Sequence, residues 1–198
     1  LGFEHEELIG GNELRELVPA AAPHCVGAIV CRDDGAANPM LTTRAYWHRA
    51  LSEGVEYHLG DIVDGIERIG DLWRVRAGDA HFEAPVLVNC AGAWGDTVAA
   101  MLGDSAPLSA QALTMMVTER IPHFIDPVCG LASGGLSFKQ SDEGTLVIGG
   151  GHLGHADRDE ETAEPDPMAL GRSARTVTRV FPQLKDMPIA RTWCGLEG

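Results

Sequence analysis

The sequence predicts a mixed α and β fold whose two halves differ in organisation. In the first half, helical patterns alternate with short strand patterns. Beyond Gly103, longer strand patterns follow one another without helices between them, which is typical of an antiparallel sheet. The apolar run at residues 86–90 is typical of a strand that is buried on both faces.

Two helices and one strand are predicted before residue 55. The first helix spans residues 12–17 with Asn12 as its N-cap, and a strand follows at 25–31. The second helix spans residues 39–52, and Asn38 precedes it. Four of its residues have the spacing of one buried face: Leu41, Ala45, His48 and Leu51.

A meander of short strands follows the second helix. Its three strands are predicted at residues 56–59, 62–69 and 73–77. After the apolar strand at 86–90, residues 91–95 read Ala-Gly-Ala-Trp-Gly and turn the chain. Asp96 is placed to cap a helix at 96–102.

The second half contains the strands of the predicted antiparallel sheet. These strands are expected at residues 112–119, 135–140, 145–149 and 189–194. Residues 154–167 are dense in Asp and Glu and are predicted to form a solvated loop. A helix is expected at 168–181, before the last strand.

The composition excludes several classes of function. A formal charge of -14 repels phosphate backbones, so we expect no nucleic-acid partner. No apolar run approaches the roughly 20 residues that span a bilayer. The five cysteines are scattered and odd in number, which favours reduced thiols and a cytoplasmic location. The chain begins without Met and stops just after a strand pattern, so we expect an internal piece of a longer protein.

Residues 149–154 match the pattern GxGxxG directly after a strand, but they lack the helix that a phosphate site requires. Here an acidic, proline-containing segment follows, so we expect a strand end and loop whose glycines allow close backbone packing. His152, His155 and Asp157 lack the helical spacing of a metal site, and no metal is predicted.

Several short motifs occur along the chain in one order. Residues 87–94 read Leu-Val-Asn-Cys-Ala-Gly-Ala-Trp, and an Ala-Gly-Ala turn after a strand lets a cofactor approach the backbone. The other motifs lie at 107–111, 136–140, 144–150 and 193–198. Together they resemble the D-amino-acid oxidase-like superfamily of FAD-dependent oxidoreductases. The pattern is most similar to the glycine oxidase, sarcosine oxidase β-subunit and opine dehydrogenase branches.

This resemblance implies a domain organisation and a cofactor site. Residues 36–103 would form part of a Rossmann-like FAD-binding domain that lacks its N-terminal βαβ unit, and residues 1–35 and 104–198 would form the antiparallel substrate domain. Val63 would meet the adenine through its backbone. The predicted second contact with FAD consists of Ala91, Gly92 and Trp94. His152 would line the substrate pocket.

The resemblance also implies hydride transfer from a carbon that bears nitrogen to flavin. The substrate would be an amine, an amino acid or an imino acid, and other subunits of a hetero-oligomeric dehydrogenase are possible partners. Many oxidases of the group have Arg where this chain has Glu197, which argues against a simple glycine oxidase. Two alternatives stay open: a cofactor-free module that serves as a contact surface, and a flavoprotein that oxidises a hydroxy acid or glycerol phosphate.

Overall fold

The computed structural model describes residues 4–198, which divide into two compact units. The first unit comprises the chain up to Ala36 together with Gln111–Leu196, and the second comprises Ala37–Ala110 and Glu197–Gly198. The α-helices in the described residues are α1 (Gly11–Leu17), α2 (Pro39–Ser52), α3 (Gly95–Met101) and α4 (Pro167–Val180). The strands are β1 (Glu7–Gly10), β2 (Gly27–Val30), β3 (Gly65–Ile69), β4 (Leu72–Ala77), β5 (Ala80–Ala84), β6 (Gln111–Thr118), β7 (Cys129–Gly130), β8 (Ser137–Gln140), β9 (Leu146–Leu153), β10 (His155–Asp157), β11 (Thr162–Glu164) and β12 (Ile189–Glu197).

The first unit is built on a five-stranded sheet in the order β12-β6-β9-β8-β7. The pairs β6–β9, β9–β8 and β8–β7 are antiparallel, which confirms the antiparallel sheet predicted for the second half. Every second residue of β6 is buried, namely Ala112, Thr114, Met116 and Thr118. Helix α4 lies against β9 and β6. One face of the sheet therefore forms the core with α4.

Aromatic rings fill the centre of this core. The rings of Phe138 and Phe181 are stacked with centroids 4.6 Å apart, and Phe124 meets Phe181 edge to face. The other buried members of the cluster are Val18, Met116, Ile125, Leu136, Leu146, Ile148, Val177 and Leu184. Such a close-packed apolar cluster supplies most of the stability of a small unit.

Helix α4 begins where its sequence predicts a helix. The carboxylate of Asp166 accepts hydrogen bonds from the backbone amides of Met168 and Ala169, and Pro167 occupies the first helical turn. The acidic stretch before it differs from the prediction, because its ends pair as the antiparallel hairpin β10–β11. The stretch is solvated as predicted, because all of β10 and both ends of β11 are exposed.

The side chain of Gln140 joins two loops beside the core. Its Oε1 accepts a hydrogen bond from the Phe124 amide at 2.9 Å, and its Nε2 donates to the carbonyls of Pro122 and Gly144 at 3.2 Å. Gly144 has a φ of +92°, and a Cβ there would overlap the Ile121 carbonyl oxygen. The two loops therefore approach closely.

Replacement Gln140→Leu is expected to lower the free energy of unfolding by about 1–3 kcal/mol, because the partly buried Phe124 amide loses its acceptor. Urea denaturation followed by circular dichroism measures the change. The exposed Gln183 provides the control, and Gln183→Leu is expected to change stability by less than about 0.5 kcal/mol. Equal effects of the two substitutions would contradict the stabilising role of the Gln140 hydrogen bonds.

The second unit contains helix α2, the three-stranded antiparallel sheet β3-β4-β5 and helix α3. The predicted helix start is confirmed, and Asn38 caps α2 by accepting hydrogen bonds from the amides of Met40 and Leu41. The tight turns of the meander are also confirmed, with Gly70 and Gly78 at positive φ.

Two predictions about burial in the second unit are wrong. Residues 86–90 form no strand, and Val86 and Val88 are 71% and 73% exposed. All residues of α2 except Thr42 and Ala50 are exposed, including those of the predicted buried face. Within the described residues, no strand lies beside 86–90, so the run lacks the pairing that would bury it.

Three local predictions also need correction. Residues 56–59 are not a strand, because β3 pairs with β4 from Gly65 onward. The N-cap of α1 is Gly10 rather than Asn12. Asp96 lies in the first turn of α3, and the N-cap position belongs to Trp94. At both helices the polar side chain does mark the helix start, but the boundary lies two residues earlier.

Candidate functional site

The turn at residues 91–94 is a rigid connection into helix α3. Asn89 holds both sides of it: its Oδ1 accepts from the Ala91 amide at 3.1 Å, and its Nδ2 donates to the Gly95 carbonyl at 2.9 Å. Residues Gly92–Trp94 form one turn of 3-10 helix, closed by the Trp94 amide on the Ala91 carbonyl. Such an Asx turn fixes the backbone without using the residues at its tip.

Gly92 leaves the tip of this turn open. Its φ of +52° lies in the left-handed region, which glycine adopts without strain. A Cβ placed on it would have no heavy atom within 4 Å. Ala91 and Trp94 are half-buried, whereas Gly92 is exposed. The backbone at Gly92 is therefore accessible to a ligand, as the predicted contact with FAD requires.

Val63 lies in the loop just before β3, not within the strand as predicted, and it is half-buried. The next residue, Asp64, anchors the loop to β4. Its amide donates to the Arg76 carbonyl at 3.0 Å, and its carboxylate accepts from the Arg76 guanidinium and from the Gly78 amide. The hydrogen bond from Arg76 lowers the pKa of Asp64. The position of Val63 thus depends on an ion pair that the sequence patterns did not reveal.

The predicted FAD-contacting residues belong to the second unit. Val63 precedes β3, the 91–94 turn precedes α3, and α3 packs beside β3. His152 belongs to the first unit. The anchoring residues Asp64 and Asn89 were not predicted as site residues. For Asn89, its place two residues before a glycine turn is the signal that identifies such an anchor.

His152 lies near the end of β9, where the glycines allow close contacts. The residue is half-buried. A Cβ on Gly149 would overlap the sulfur of Met115, and a Cβ on Gly151 would overlap the Cα of Gly135. Strand β9 continues to Leu153, so the glycines do not begin a helix. The predicted role of these glycines in close packing is confirmed, and the strand is longer than expected.

Other kinds of site depend on metal-ligating side chains, on long apolar helices or on cysteine thiols. Residues 4–198 contain no cluster of three or more His, Cys, Asp or Glu side chains arranged to hold a metal ion. None of the described helices has the length and apolar character needed to cross a membrane. The five cysteines are unpaired, and burial raises the pKa of the Cys129 and Cys194 thiols.

Comparison with known proteins places the chain in a family. The family model described as DAO, FAD dependent oxidoreductase, matches residues 1–198. An opine oxidase subunit of Rhizobium meliloti is 27% identical over 98% of this chain and 49% of its own length. The HcnC subunit of hydrogen cyanide synthase of Pseudomonas aeruginosa is 29% identical over 94% of this chain and 44% of its own length.

A solved structure supports the fold. L-proline dehydrogenase from P. horikoshii superposes with a TM-score of 0.82 at 22% identity, covering 96% of this chain and 52% of that one. The chain therefore spans about half the length of the relatives that it matches. Because the family model extends over all 198 residues, the chain belongs to the DAO family of FAD-dependent oxidoreductases.

Proposed function

We propose that this chain is the middle part of an FAD-dependent enzyme that oxidises a C–N bond in an amine, amino acid or imino acid. In this proposal, residues 36–103 contribute to the FAD-binding domain, and residues 1–35 and 104–198 contribute to the substrate domain. FAD supplies the hydride acceptor for such an oxidation. The observation that carries the proposal is the open, rigidly held backbone turn at Gly92.

The residues of the second unit fit backbone recognition of FAD. Ala91, Gly92 and Val63 offer main-chain groups, and Trp94 offers an aromatic surface. The Asn89 and Asp64 hydrogen bonds hold these groups before any ligand arrives, which reduces the entropy lost on binding. The acidic ribose contact and the glycine-rich phosphate contact that complete a dinucleotide site would come from outside these residues.

The exposed apolar surface of the second unit supports the proposal that this unit is only part of an FAD-binding domain. Helix α2 exposes Met40, Leu41 and Tyr46, although its apolar side chains lie on more than one face. Large apolar side chains grouped on an exposed surface are typical of a surface that packs against another segment. Residues 86–90 have the composition of a central parallel strand, and their valines are exposed. About half the length of the matched relatives has no counterpart here, which is enough chain to cover both segments.

The names of the relatives support the proposed substrate class. The opine oxidase subunit is named for an opine and for a multi-subunit enzyme, and it matches nearly the whole chain. We therefore propose that the enzyme containing this chain binds an amine or amino-acid substrate near His152. We also propose that it has partner subunits. Glu197 in place of the Arg common in related oxidases supports a substrate held differently from glycine. The free cysteines suit a reducing compartment such as the cytoplasm.

The alternative functions make different predictions about FAD. A cofactor-free contact module would show no FAD binding that depends on Gly92. An enzyme for hydroxy acids or glycerol phosphate would bind FAD in the same way but would reduce it only with an alcohol. Reduction of the flavin by an amine, followed as loss of visible absorbance in the assembled enzyme, separates these two oxidoreductases.

We expect the isolated chain to bind FAD weakly, with a Kd above about 100 µM, because backbone contacts contribute only about 1 kcal/mol each. Replacement Gly92→Ala is expected to weaken this binding by about tenfold, since a Cβ occupies the space that the ligand would approach. Titration of FAD fluorescence polarisation measures both values. Flavin that stays with the chain through gel filtration would contradict the weak binding.

Gly70→Ala is the matched control for this experiment. Gly70 has a φ of +61° and open space around the position of a Cβ, so alanine there introduces the same backbone strain as at Gly92. It lies outside the proposed contact. Equal loss of FAD binding in the two variants would show that strain, and not contact at Gly92, is responsible.

A further inference from the structure

Strand β9 contains an irregularity opposite Thr114. Leu113 pairs with Leu153 and Met115 pairs with Gly149, so the register shifts between these two pairs and β9 carries extra residues there. This is a bulge, and bulges re-aim the side chains that they carry. Gly151 within it has a φ of +137°. The bulge, and not the regular alternation of the strand, therefore sets the orientation of the His152 side chain.

Thr114 is the residue of β6 at this register shift, and its side chain carries a hydroxyl on the buried face of the strand. Thr114 is 1% exposed, and among the described residues its Oγ1 has no partner in regular hydrogen-bond geometry. Buried hydroxyls are almost always hydrogen-bonded. The nearby Thr118 shows the ordinary arrangement, because its Oγ1 donates to the Glu119 carbonyl and accepts from the Leu146 amide.

The sulfur of Cys194 lies close to Thr114 at the end of the bulge. Interaction with the Thr114 hydroxyl lowers the pKa of Cys194, while burial has the larger effect and raises it. The net result keeps the thiol protonated at neutral pH, so Cys194 is a hydrogen-bonding group and not a nucleophile. The thiol and the Thr114 hydroxyl therefore interact, although the hydroxyl has no partner in regular hydrogen-bond geometry.

Cys194 also contacts the segment that leaves the bulge. A Cβ on Gly154 would lie 2.8 Å from the Cys194 sulfur and would overlap the Glu164 carbonyl oxygen. The Gly154 amide donates to the Ala112 carbonyl at 2.8 Å, two residues before Thr114. The thiol is thus packed between the strand that faces the bulge and the residue that ends it.

We propose that Thr114 and Cys194 are positioning residues that fix the β9 bulge and thereby the orientation of His152. Neither side chain touches substrate or cofactor in this arrangement. The consequence for catalysis rests on the proposed function, in which His152 lines the substrate pocket. The positioning itself is a property of the first unit alone.

Thr114→Val tests the proposal, because valine keeps the volume and removes the hydroxyl. The expected result is exchange of the Gly154 amide hydrogen at least about tenfold faster, together with changed chemical shifts of the His152 imidazole in NMR spectra. Cys194→Ala is expected to give the same two changes. Thr114→Ser keeps the hydroxyl and is expected to leave both the Gly154 exchange rate and the His152 signal unchanged. Thr178→Val, at a position outside the bulge, is the control.

Three results would overturn the proposal. One is an unchanged Gly154 amide in Thr114→Val. Another is faster exchange throughout the first unit by the same factor, which indicates only global destabilisation. The third is an effect of Thr114→Val without one of Cys194→Ala, which removes the thiol as the partner and leaves a buried water in its place. These measurements need neither FAD nor substrate, so they are independent of the FAD titration that tests the proposed function.

Discussion

Replacing Phe138 with alanine is expected to lower the free energy of unfolding of the first unit by about 3–5 kcal/mol. Phe138 is 0% exposed, and its ring is stacked on Phe181 beneath helix α4. Removing the ring leaves a cavity that the sheet and the helix cannot close, because both are held by their own hydrogen bonds. Urea denaturation monitored by circular dichroism gives the free energy.

Leu8→Ala is the control for this experiment. Leu8 is 83% exposed on strand β1 of the same unit, so its loss is expected to change stability by less than about 0.5 kcal/mol. A loss below about 1 kcal/mol in Phe138→Ala would contradict the position of Phe138 at the centre of the core.

Gly151→Ala is expected to destabilise the first unit by about 2–5 kcal/mol. The φ of +137° at Gly151 is a conformation that side chains rarely adopt, which accounts for about 1–3 kcal/mol. The added Cβ would also overlap the Cα of Gly135, and relieving an overlap between two backbones adds about 1–3 kcal/mol. Thermal and urea unfolding of the purified variant measure the loss.

The opposite result is expected for Gly171→Ala. Gly171 lies within helix α4, and a Cβ there meets no atom within 4 Å. Alanine is therefore expected to stabilise the chain by about 0.4–1 kcal/mol through helix propensity and a less flexible unfolded state. A stable Gly151→Ala variant would show that the close approach of Gly151 and Gly135 can relax.

Local signals predicted the elements whose boundaries depend on neighbouring residues. Asn38 caps α2 through its own side chain, and β6 forms where the sequence predicts a strand at residues 112–119. Glycines at 70 and 78 take positive φ in turns. Each of these features involves residues that are close in sequence, so composition and spacing identify them.

Features that depend on distant partners were predicted less well. The apolar run at 86–90 has the composition of a buried strand, but burial requires a neighbouring strand, and no described strand lies beside it. The spacing of Leu41, Ala45, His48 and Leu51 describes a helix face, but whether that face is covered depends on another part of a protein. A sequence pattern specifies the capacity to be buried, and only a packed partner realises it.

The candidate site was likewise predicted only in part from the sequence. The short motifs around Ala91, Gly92 and Trp94, read in order, were enough to indicate an FAD-dependent oxidoreductase, and the family match confirms that class. The anchors Asn89 and Asp64 and the bulge opposite Thr114 emerged only from the folded chain. Asp64 meets Arg76 twelve residues away, and the Cys194 sulfur lies against Gly154, because such contacts are set by strand register and not by spacing along the chain.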